Sequence, residues 1–171
     1  MNSTIPLVSI IIINYNGLNL LKKCLSSLSE INFSNYEIIL VDNNSIDDTI
    51  QYVTKNYPKI ILIKLEKNKG FAEPNNIANK IAKGEYLLFL NNDTIVTKTF
   101  LTELLQSINK DKQIGICQSL LLKLDNSIDS SGDFIDELGV VYNSKTSVTT
   151  DRDISSARGA SMLIRKKIFD E

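Results

Sequence analysis

The sequence predicts an α/β protein with an open, mostly parallel, twisted sheet and helices on both faces of that sheet. Short, continuous apolar runs alternate with amphipathic helix patterns along residues 1–110, and such runs are typical of strands that are buried on both faces. Polar clusters follow three of the runs at their carboxyl ends, where open α/β sheets bind ligands. Because a helix separates successive strands, the connections favour parallel pairing.

Four strand–helix units account for residues 1–110. The strands are short and rich in aliphatic and β-branched side chains, and we predict them at Leu7–Ile13, Tyr36–Val41, Ile60–Leu65 and Tyr86–Leu90. Each helix carries apolar residues at the spacing of one helix face. The predicted inward faces are, in order, Leu21, Cys24, Leu25 and Leu28; Ile50, Val53 and Tyr57; Ile77, Ala78 and Ile81; and Phe100, Leu101, Leu104, Leu105 and Ile108.

The pattern changes after residue 110. Ile114–Leu124 predicts one or two further strands, and Gly159–Ile164 predicts a turn of small residues followed by a short strand. Between them, Asp125–Arg158 is rich in Ser, Asp, Thr and Gly and predicts a long irregular excursion. A chain of 171 residues can bury a sizeable core. We therefore expect a single domain over residues 1–171, with halves at 1–110 and 111–171.

The composition excludes several classes of function. A net charge of −1 gives no overall electrostatic case for binding nucleic acid or membrane lipid. The absence of histidine excludes His-dependent triads and His-based zinc sites. Cys24 and Cys117 are too few for a disulfide framework, and both lie in apolar patterns, so we expect them to be small core residues.

No targeting or membrane-spanning pattern is visible in the sequence. Ile10–Ile13 is too short for the apolar region of a signal peptide, and no basic segment precedes it. No stretch approaches the roughly twenty apolar residues that span a bilayer. We therefore expect no transmembrane segment and a cytoplasmic protein, with a peripheral association with the membrane left open.

Three polar clusters stand at predicted strand ends: Asn14-Tyr15-Asn16, Asp42-Asn43-Asn44-Ser45 and Asn91-Asn92-Asp93. A turn with the sequence Asn68-Lys69-Gly70-Phe71 lies in the same layer. Each cluster alone has the residues of an ordinary turn or helix cap. Because the carboxyl ends of parallel strands share one edge of the sheet, the three together favour a binding site.

A nucleotide would use these groups well. Ionised Asp42 is only an acceptor and can take the N3–H of a uracil or thymine ring, while asparagine amides offer both a donor and an acceptor. Tyr15 offers a flat face for stacking, and Asp93 can hold a hard divalent cation together with a substrate phosphate. The sequence has neither GxGxxG after the first strand nor a GxxxxGKS/T loop. Phosphate binding should therefore go through a metal ion.

Four segments in this order resemble the nucleotide-sugar glycosyltransferases of the GT-A fold, specifically the inverting enzymes of family 2. VSIIIINYNG is similar to the family's first strand and nucleotide-binding turn, and EIILVDNNSIDDT to its second strand and aspartate. NKGFAEPNNIANKIAKGEYLLFLNND is similar to the central segment that ends in the DxD-type motif, and RGASMLIRKKIF to the segment that lines the donor-sugar and acceptor site. The resemblance runs from about Pro6 to the last residue and is nearest to a rhamnosyltransferase-like branch.

The resemblance implies a Rossmann-like GT-A sheet, with residues 1–110 as the nucleotide-binding half and residues 111–171 as a partial acceptor and donor-sugar half. It implies transfer of a hexosyl-type sugar from a nucleoside-diphosphate donor to the hydroxyl of a glycan or lipid-linked acceptor, with inversion and with Mg²⁺ or Mn²⁺. It assigns Asp93 to the metal. The residues that it assigns to the nucleotide are Asn14, Tyr15, Asn16, Asp42, Asn44, Ser45, Asn68, Gly70, Asn76 and Asn92.

The sequence departs from the family pattern in its charged residues. Its motif is Asn-Asn-Asp, so only Asp93 offers a charge, and Glu73 stands where the family commonly has a small residue. The family's general base, an aspartate in a later Glu-Asp motif, has no matched counterpart. The carboxylates without a family match are Asp129, Asp133, Asp136, Glu137, Asp170 and Glu171. We therefore leave the catalytic residue unassigned and expect a chain that is truncated before that motif and inactive alone.

Three other classes of function remain as alternatives. A non-catalytic nucleotide-sugar-binding fragment, or a degenerate domain without the general base, would bind donor and metal without transfer. A phosphoacceptor receiver-like domain would need an acidic cluster after the first strand, where this chain has Asn14-Tyr15-Asn16. A sugar-phosphate nucleotidyltransferase would need a Gly-rich, basic loop at the same place, and Asn16-Gly17-Leu18 does not supply one.

Overall fold

The computed structural model describes residues 8–171, so Leu7, predicted to open the first strand, lies outside the described residues. The strands are β1 Val8–Asn14, β2 Tyr36–Asp42, β3 Ile61–Lys64, β4 Tyr86–Asn91, β5 Ile116–Gln118, β6 Leu121–Leu122, β7 Ile128–Ser130, β8 Asp133–Ile135, β9 Val141–Asn143 and β10 Ser161–Arg165. The helices are α1 Leu18–Leu28, α2 Thr49–Asn56, α3 Ala72–Asn79, α4 Phe100–Ile108 and α5 Lys166–Phe169.

The main sheet has six strands in the order β3-β2-β1-β4-β10-β5. The first four are parallel to one another, β10 is antiparallel to β4, and β5 is antiparallel to β10. The predicted open and mostly parallel sheet is therefore confirmed. The carboxyl ends of β1, β2 and β4 meet at one edge, which we call the carboxyl edge, and β10 enters the sheet from that edge because it runs the other way.

The core lies on both faces of this sheet because successive side chains of a strand point to opposite sides. One buried cluster joins Ile10, Leu40 and Leu88 to the inward faces of α1 and α4. The other joins Ile11, Ile39 and Leu87 to Ala78 of α3. All nine apolar residues predicted to face inward in α1 and α4 are buried, and each such aliphatic side chain contributes about 1.5–3 kcal/mol by leaving water.

The third helix differs from its prediction. It ends at Asn79, so Ile81 lies beyond it and is 43% exposed. Its buried residues are Pro74, Asn75 and Ala78. Pro74 fits because it lies in the first turn, where the missing N–H has no partner within a helix.

Asp125–Arg158 is more regular than the sequence predicts. β6 pairs with β7, and β8 pairs with β9 in an antiparallel hairpin. The guanidinium of Arg152 donates to the Ser131 and Ser144 hydroxyls, each at 2.8 Å, and lies over the Phe134 ring. Polar side chains therefore order this segment in place of a large apolar core, and apolar periodicity misses it for that reason.

Both cysteines are core residues, as predicted. Cys24 is fully buried, and the Cys117 side chain packs against the same cluster. Burial, with the nearby charge of Asp93, raises the pKa of the Cys24 thiol to about 12, and burial, with the charge of Asp151, does the same for Cys117. Across residues 8–171, no helix has the length and apolar character needed to cross a membrane.

Candidate functional site

The carboxyl edge brings the three predicted polar clusters together. The strand register pairs Asn14 with Asp42 on one side of β1 and Ile13 with Asn91 on the other. Neighbouring strands are roughly 4.8 Å apart, so the residues that follow these strand ends are close in space. The three polar clusters therefore lie side by side at the carboxyl edge, and their role as one site stays a prediction.

Asn14 is the centre of a buried hydrogen-bond network at this edge. Its side chain has no solvent exposure. Its Oδ1 accepts from the amide of Asn92 at 2.7 Å, and its Nδ2 donates to the hydroxyls of Thr49 at 3.1 Å and Ser45 at 3.3 Å. The structure thus places Asn14 beneath the surface of the site, where it fixes the loops that follow β2 and β4.

Gly17 makes this network possible. A Cβ added at Gly17 would lie 2.3 Å from Nδ2 of Asn92 and 2.7 Å from Oδ1 of Asn14. Real Cβ atoms do not approach so closely, so the position needs glycine for space. Its φ of −114° makes no such demand. The sequence analysis did not select Gly17 as a site residue, because only the contact across the sheet reveals its role.

Asp42 is a buried carboxylate with one unused oxygen. Its side chain is 1% exposed, and Oδ2 accepts from the backbone N–H of Ser45 at 3.0 Å. Oδ1 is buried without a hydrogen-bond partner among the described residues. Leaving such an acceptor unpaired costs about 1–3 kcal/mol, so a ligand N–H that reaches Oδ1 would recover this energy.

Left-handed asparagines shape the two loops beside Asp42. Asn16 has a φ of 50° and Asn44 a φ of 69°, conformations that asparagine tolerates better than most residues. The backbone N–H of Asn16 donates to the Ser45 hydroxyl at 3.0 Å, and its side-chain oxygen accepts from the Ile46 N–H at 2.8 Å. Tyr15 stands next to this junction with half of its surface exposed, so its ring can meet a ligand.

Asn43 holds the third turn in place and was not selected from the sequence. Its Nδ2 donates to the Asn68 side chain at 3.0 Å and to the Gly70 carbonyl at 2.8 Å. Its Oδ1 accepts from the Lys69 N–H at 2.8 Å. Gly70 has a φ of 73°, which favours glycine. Asn68 and Gly70 are therefore tied to the end of β2 as the prediction requires.

Asn76 is the predicted site residue that lies within a helix. It is exposed in α3, four residues after Ala72, which is a distance of about 6 Å along the helix axis. The neighbouring Asn75 is buried, and its amide donates to the Phe71 carbonyl at 2.8 Å. The structure thus separates a buried structural asparagine from an exposed one.

Asp93 lies on the turn that follows β4 and is exposed. The turn is fixed by Ala160, whose carbonyl accepts from the Asn91 N–H at 3.0 Å and from the Thr94 hydroxyl at 3.3 Å. Within residues 8–171, no group of three or more His, Cys, Asp or Glu side chains could hold a metal ion. Asp93 is therefore a single carboxylate with room for ligands supplied by a substrate and by water.

The whole described chain matches one known family. The sequence model of glycosyl transferase family 2 matches residues 9–171. The chain belongs to this family. The first strand, the aspartate at the end of β2 and the Asn-Asn-Asp turn at the end of β4 are thus parts of a family 2 glycosyltransferase domain, and the resemblance read from the sequence is confirmed.

Relatives with known names support the same assignment. The chain is 39% identical to a poly(ribitol-phosphate) beta-glucosyltransferase of Bacillus spizizenii over 95 residues, which cover 52% of this chain and 15% of that protein. The crystal structure of S. aureus TarS 1-349 in complex with UDP-GlcNAc has 33% identity and a TM-score of 0.55, covering 60% of this chain and 31% of that chain.

The fold of the complete described chain matches a more distant enzyme. A mannosyltransferase from Pyrobaculum calidifontis, solved with GDP-Man and Mn²⁺, superposes with a TM-score of 0.72 at 16% identity, covering 98% of this chain and 47% of that chain. This likeness confirms the GT-A fold. The chain spans less than half the length of each of these three proteins.

Three of the carboxylates without a family match, Asp133, Asp170 and Glu171, lie away from this family 2 site or are already paired. β10 ends at the opposite edge of the sheet, where Arg165 pairs with Tyr86, so Asp170 and Glu171 follow on that far side. Asn79 and then Lys166 donate to Asp170 and lower its pKa. Asp133 is bound by Arg158, not solvated as an isolated loop charge, and the hydrogen bond from Arg158 lowers its pKa.

A cavity of about 670 Å³ lies elsewhere on the domain, along α4, β5 and residues 148–154. Its main charged groups are mutually satisfied: Asp151 accepts from Lys110 at 2.6 Å and from Ser107 at 2.7 Å. No family segment and no unpaired buried carboxylate lines it. The carboxyl edge is therefore the better candidate site.

Proposed function

We propose that this chain is the donor-binding part of a family 2 glycosyltransferase that moves a hexosyl-type sugar from a nucleoside diphosphate to an acceptor hydroxyl with inversion. The observation that carries the proposal is Oδ1 of Asp42, which is buried at the carboxyl edge without a hydrogen-bond partner among residues 8–171. An ionised carboxylate can only accept hydrogen bonds. The site is therefore built for a base that presents a ring N–H.

The nucleobase should be uracil, thymine or guanine. Each has a ring N–H beside a carbonyl, whereas the corresponding ring nitrogens of adenine and cytosine are acceptors and would face the carboxylate lone pairs. Tyr15, Asn16, Asn44 and Ser45 would surround the base and ribose. Asn14 would position these residues through its buried network. UDP-GlcNAc bound to TarS is consistent with this class of donor.

Asp93 would hold a divalent cation together with the diphosphate. Mg²⁺ usually binds through one or two carboxylates, substrate phosphates and water, and the single exposed carboxylate at the β4 turn fits that mode. The cation would supply positive charge to the diphosphate leaving group. Asn92, held by Asn14, would approach the ribose or the phosphates.

The acceptor would be a hydroxyl of a polysaccharide or a lipid-linked glycan in cell-wall or polysaccharide synthesis. The Bacillus relative is named for poly(ribitol-phosphate), a hydroxyl-bearing polyol-phosphate polymer, and this name supports a polymeric acceptor. The rhamnosyltransferase-like branch, the hexosyl type of the transferred sugar and a cytoplasmic location with peripheral membrane association remain predictions. So does the division into a nucleotide-binding half at 1–110 and an acceptor half at 111–171.

A second candidate function is donor binding without transfer. The observation that favours it is the placement of Asp170 and Glu171 at the far edge, together with the pairing of Asp133 with Arg158. None of these groups can deprotonate an acceptor hydroxyl beside Asp93. In this case the described chain binds and positions the nucleotide, and the base that activates the acceptor comes from elsewhere.

Calorimetric titration of UDP, dTDP and GDP, each with and without Mn²⁺, tests the proposal, with ADP and CDP as base controls. Asp42→Asn keeps the shape of the side chain but replaces an acceptor by a donor, and it should abolish binding of the preferred nucleotide. Asp93→Ala should remove the dependence on Mn²⁺. Asp48→Ala is the matched control, because Asp48 is exposed and makes no side-chain capping bond.

The outcomes separate the two functions. Binding of a uracil, thymine or guanine nucleotide with transfer or hydrolysis of its sugar donor supports the enzyme. The same binding without either reaction supports the binding module. Equal binding of ADP and UDP, or an Asp42→Asn variant that binds as the parent does, contradicts the site.

A further inference from the structure

A bound diphosphate needs positive charge nearby, and the carboxyl edge offers little positive charge that is not already in an ion pair. Asp42 and Asp93 are acidic, and the Lys69 ammonium is 2.6 Å from the Glu73 carboxylate. That ion pair also neutralises Glu73, the residue that departs from the family pattern. A single cation on Asp93 would otherwise face the whole charge of the nucleotide. A second cationic group close to the β4 turn would complement it.

Arg158 lies at that place. β10 pairs Ser161 with Leu90, and the next residue, Ala160, accepts from the Asn91 N–H. Arg158 precedes Ala160 by two residues, so at most about 7 Å of backbone separates it from the residue that contacts the β4 turn. Between them, a Cβ on Gly159 would lie 3.5 Å from the ring of Phe71. The segment 158–160, which precedes β10, therefore passes between the β4 turn and Phe71 at the start of α3, along one side of the proposed nucleotide site.

The guanidinium of Arg158 is bound through Nε, and its two terminal NH₂ groups are available. Its Nε is 3.1 Å from both carboxylate oxygens of Asp133, and its backbone N–H donates to Gln118 at 2.7 Å. Asp133 is fixed in turn by the Asn143 amide at 2.9 Å. The two terminal NH₂ groups of Arg158 have no acceptor within residues 8–171, and the side chain is 40% exposed. A guanidinium has five N–H donors, so most of them are available.

We propose that Arg158 binds the diphosphate of the nucleotide donor through its terminal NH₂ groups, and that Asp133 is the positioning residue that orients it. The inference rests on the proposed function and adds to it a phosphate-binding residue from the 111–171 half. A guanidinium suits this role because its planar fork matches phosphate oxygens in a bidentate way. Asp133 accepts from Nε and leaves the two terminal NH₂ groups available for phosphate oxygens. The β8–β9 hairpin thereby acquires a role at the donor site.

The test compares each nucleoside diphosphate with its nucleoside: UDP with uridine, dTDP with thymidine and GDP with guanosine. Arg158→Gln should weaken the preferred diphosphate about 10- to 100-fold, the loss expected for a charged hydrogen bond, and leave the nucleoside unchanged. Arg158→Lys should restore part of the affinity, because it returns the charge without the fork. Asp133→Asn should weaken the diphosphate less than Arg158→Gln, again with the nucleoside unchanged.

Lys110→Gln is the matched control, since it removes one positive charge from an exposed ion pair with Asp151 and should change neither affinity. An Arg158→Gln variant that binds the diphosphate as the parent does overturns the inference, and so does an equal loss of nucleoside and diphosphate. If Arg158→Gln does not fold, Arg158→Lys decides by the same comparison. A parent chain that binds none of the six compounds overturns the proposed function, and this inference with it.

Discussion

Gly17→Ala is the substitution whose effect the structure predicts most sharply. Gly17 has a φ of −114°, which alanine can adopt. If only backbone entropy mattered, the change would stabilise the folded chain by about 0.4–1 kcal/mol. The new Cβ would instead lie 2.3 Å from Nδ2 of Asn92. The two effects have opposite signs, so the sign of the change in the free energy of unfolding decides which one operates.

The size of the loss follows from the bond that the Cβ would break. Moving Asn92 away gives up its 2.7 Å hydrogen bond to Oδ1 of Asn14 and leaves a fully buried acceptor unpaired. Such a loss costs about 1–3 kcal/mol. After the entropic gain is subtracted, we expect a net destabilisation of about 1–2 kcal/mol. For a chain of this size that lowers the melting temperature by about 2–8 °C.

Chemical denaturation of four chains measures this coupling: the parent, Gly17→Ala, Asn92→Ala and the double variant. Removing the Asn92 amide removes the nearer of the two atoms that the new Cβ would approach, while Oδ1 of Asn14 would remain 2.7 Å from it. Gly17→Ala should therefore cost less in the Asn92→Ala background than in the parent. The two changes should therefore be non-additive by roughly 1 kcal/mol or more. Additive effects, or a Gly17→Ala chain at least as stable as the parent, would refute the close-contact argument.

Two further predictions concern the core and the third turn. Burial raises the pKa of Cys24 and Cys117 to about 12, so almost no thiolate forms at pH 8. Iodoacetamide should therefore label neither cysteine in the folded chain and both cysteines in denaturant. Rapid labelling of the folded chain would contradict the burial. Asn43→Ala removes three hydrogen bonds that hold residues 68–70, so it should weaken the preferred nucleoside about tenfold or more; Asn56→Ala, which loses one exposed bond within α2, should leave calorimetric affinity unchanged.

The first half of the fold could be predicted because its information is local. Short windows of sequence contain the whole pattern of each element, as in the apolar runs of β1, β2 and β4 and the apolar helix faces of α1 and α4. The helical pattern also has a different period from the strand pattern. Predicted and observed strand ends agree within one residue wherever both fall on described residues. The end of α3 was less predictable, because Ile81 continues the helical spacing after the helix has stopped.

The order of strands in the second half could not be predicted in the same way. β10 inserts between β4 and β5, and its partners in β4 precede it by more than 70 residues. No local pattern encodes that pairing. The hairpin of β8 and β9 was not predicted for a different reason. Polar contacts, such as that between Arg158 and Asp133, stabilise it in place of an apolar pattern.

The predicted site residues could be selected by residue type and by position along the chain, but not by depth. Asn14, Asp42 and Tyr15 all stand at predicted strand ends, and the sequence analysis assigned all three to the nucleotide. The structure separates them: Asn14 is fully buried, Asp42 is buried with one unpaired oxygen, and Tyr15 is half exposed. Gly17 and Asn43 were missed because their importance lies in contacts with other loops, not in a motif.

The direction of β10 explains why Arg158 lies near the proposed site and why Asp170 does not. Because β10 runs against β4, its start lies at the carboxyl edge, where Ala160 contacts the β4 turn and Arg158 is two residues away along the chain. Its end lies one strand length away, about 17 Å at 3.3 Å per residue, and α5 follows at the far edge. A side chain of α5 cannot cover that distance. Arg158 can therefore serve the diphosphate, whereas Asp170 cannot act on an acceptor hydroxyl beside it.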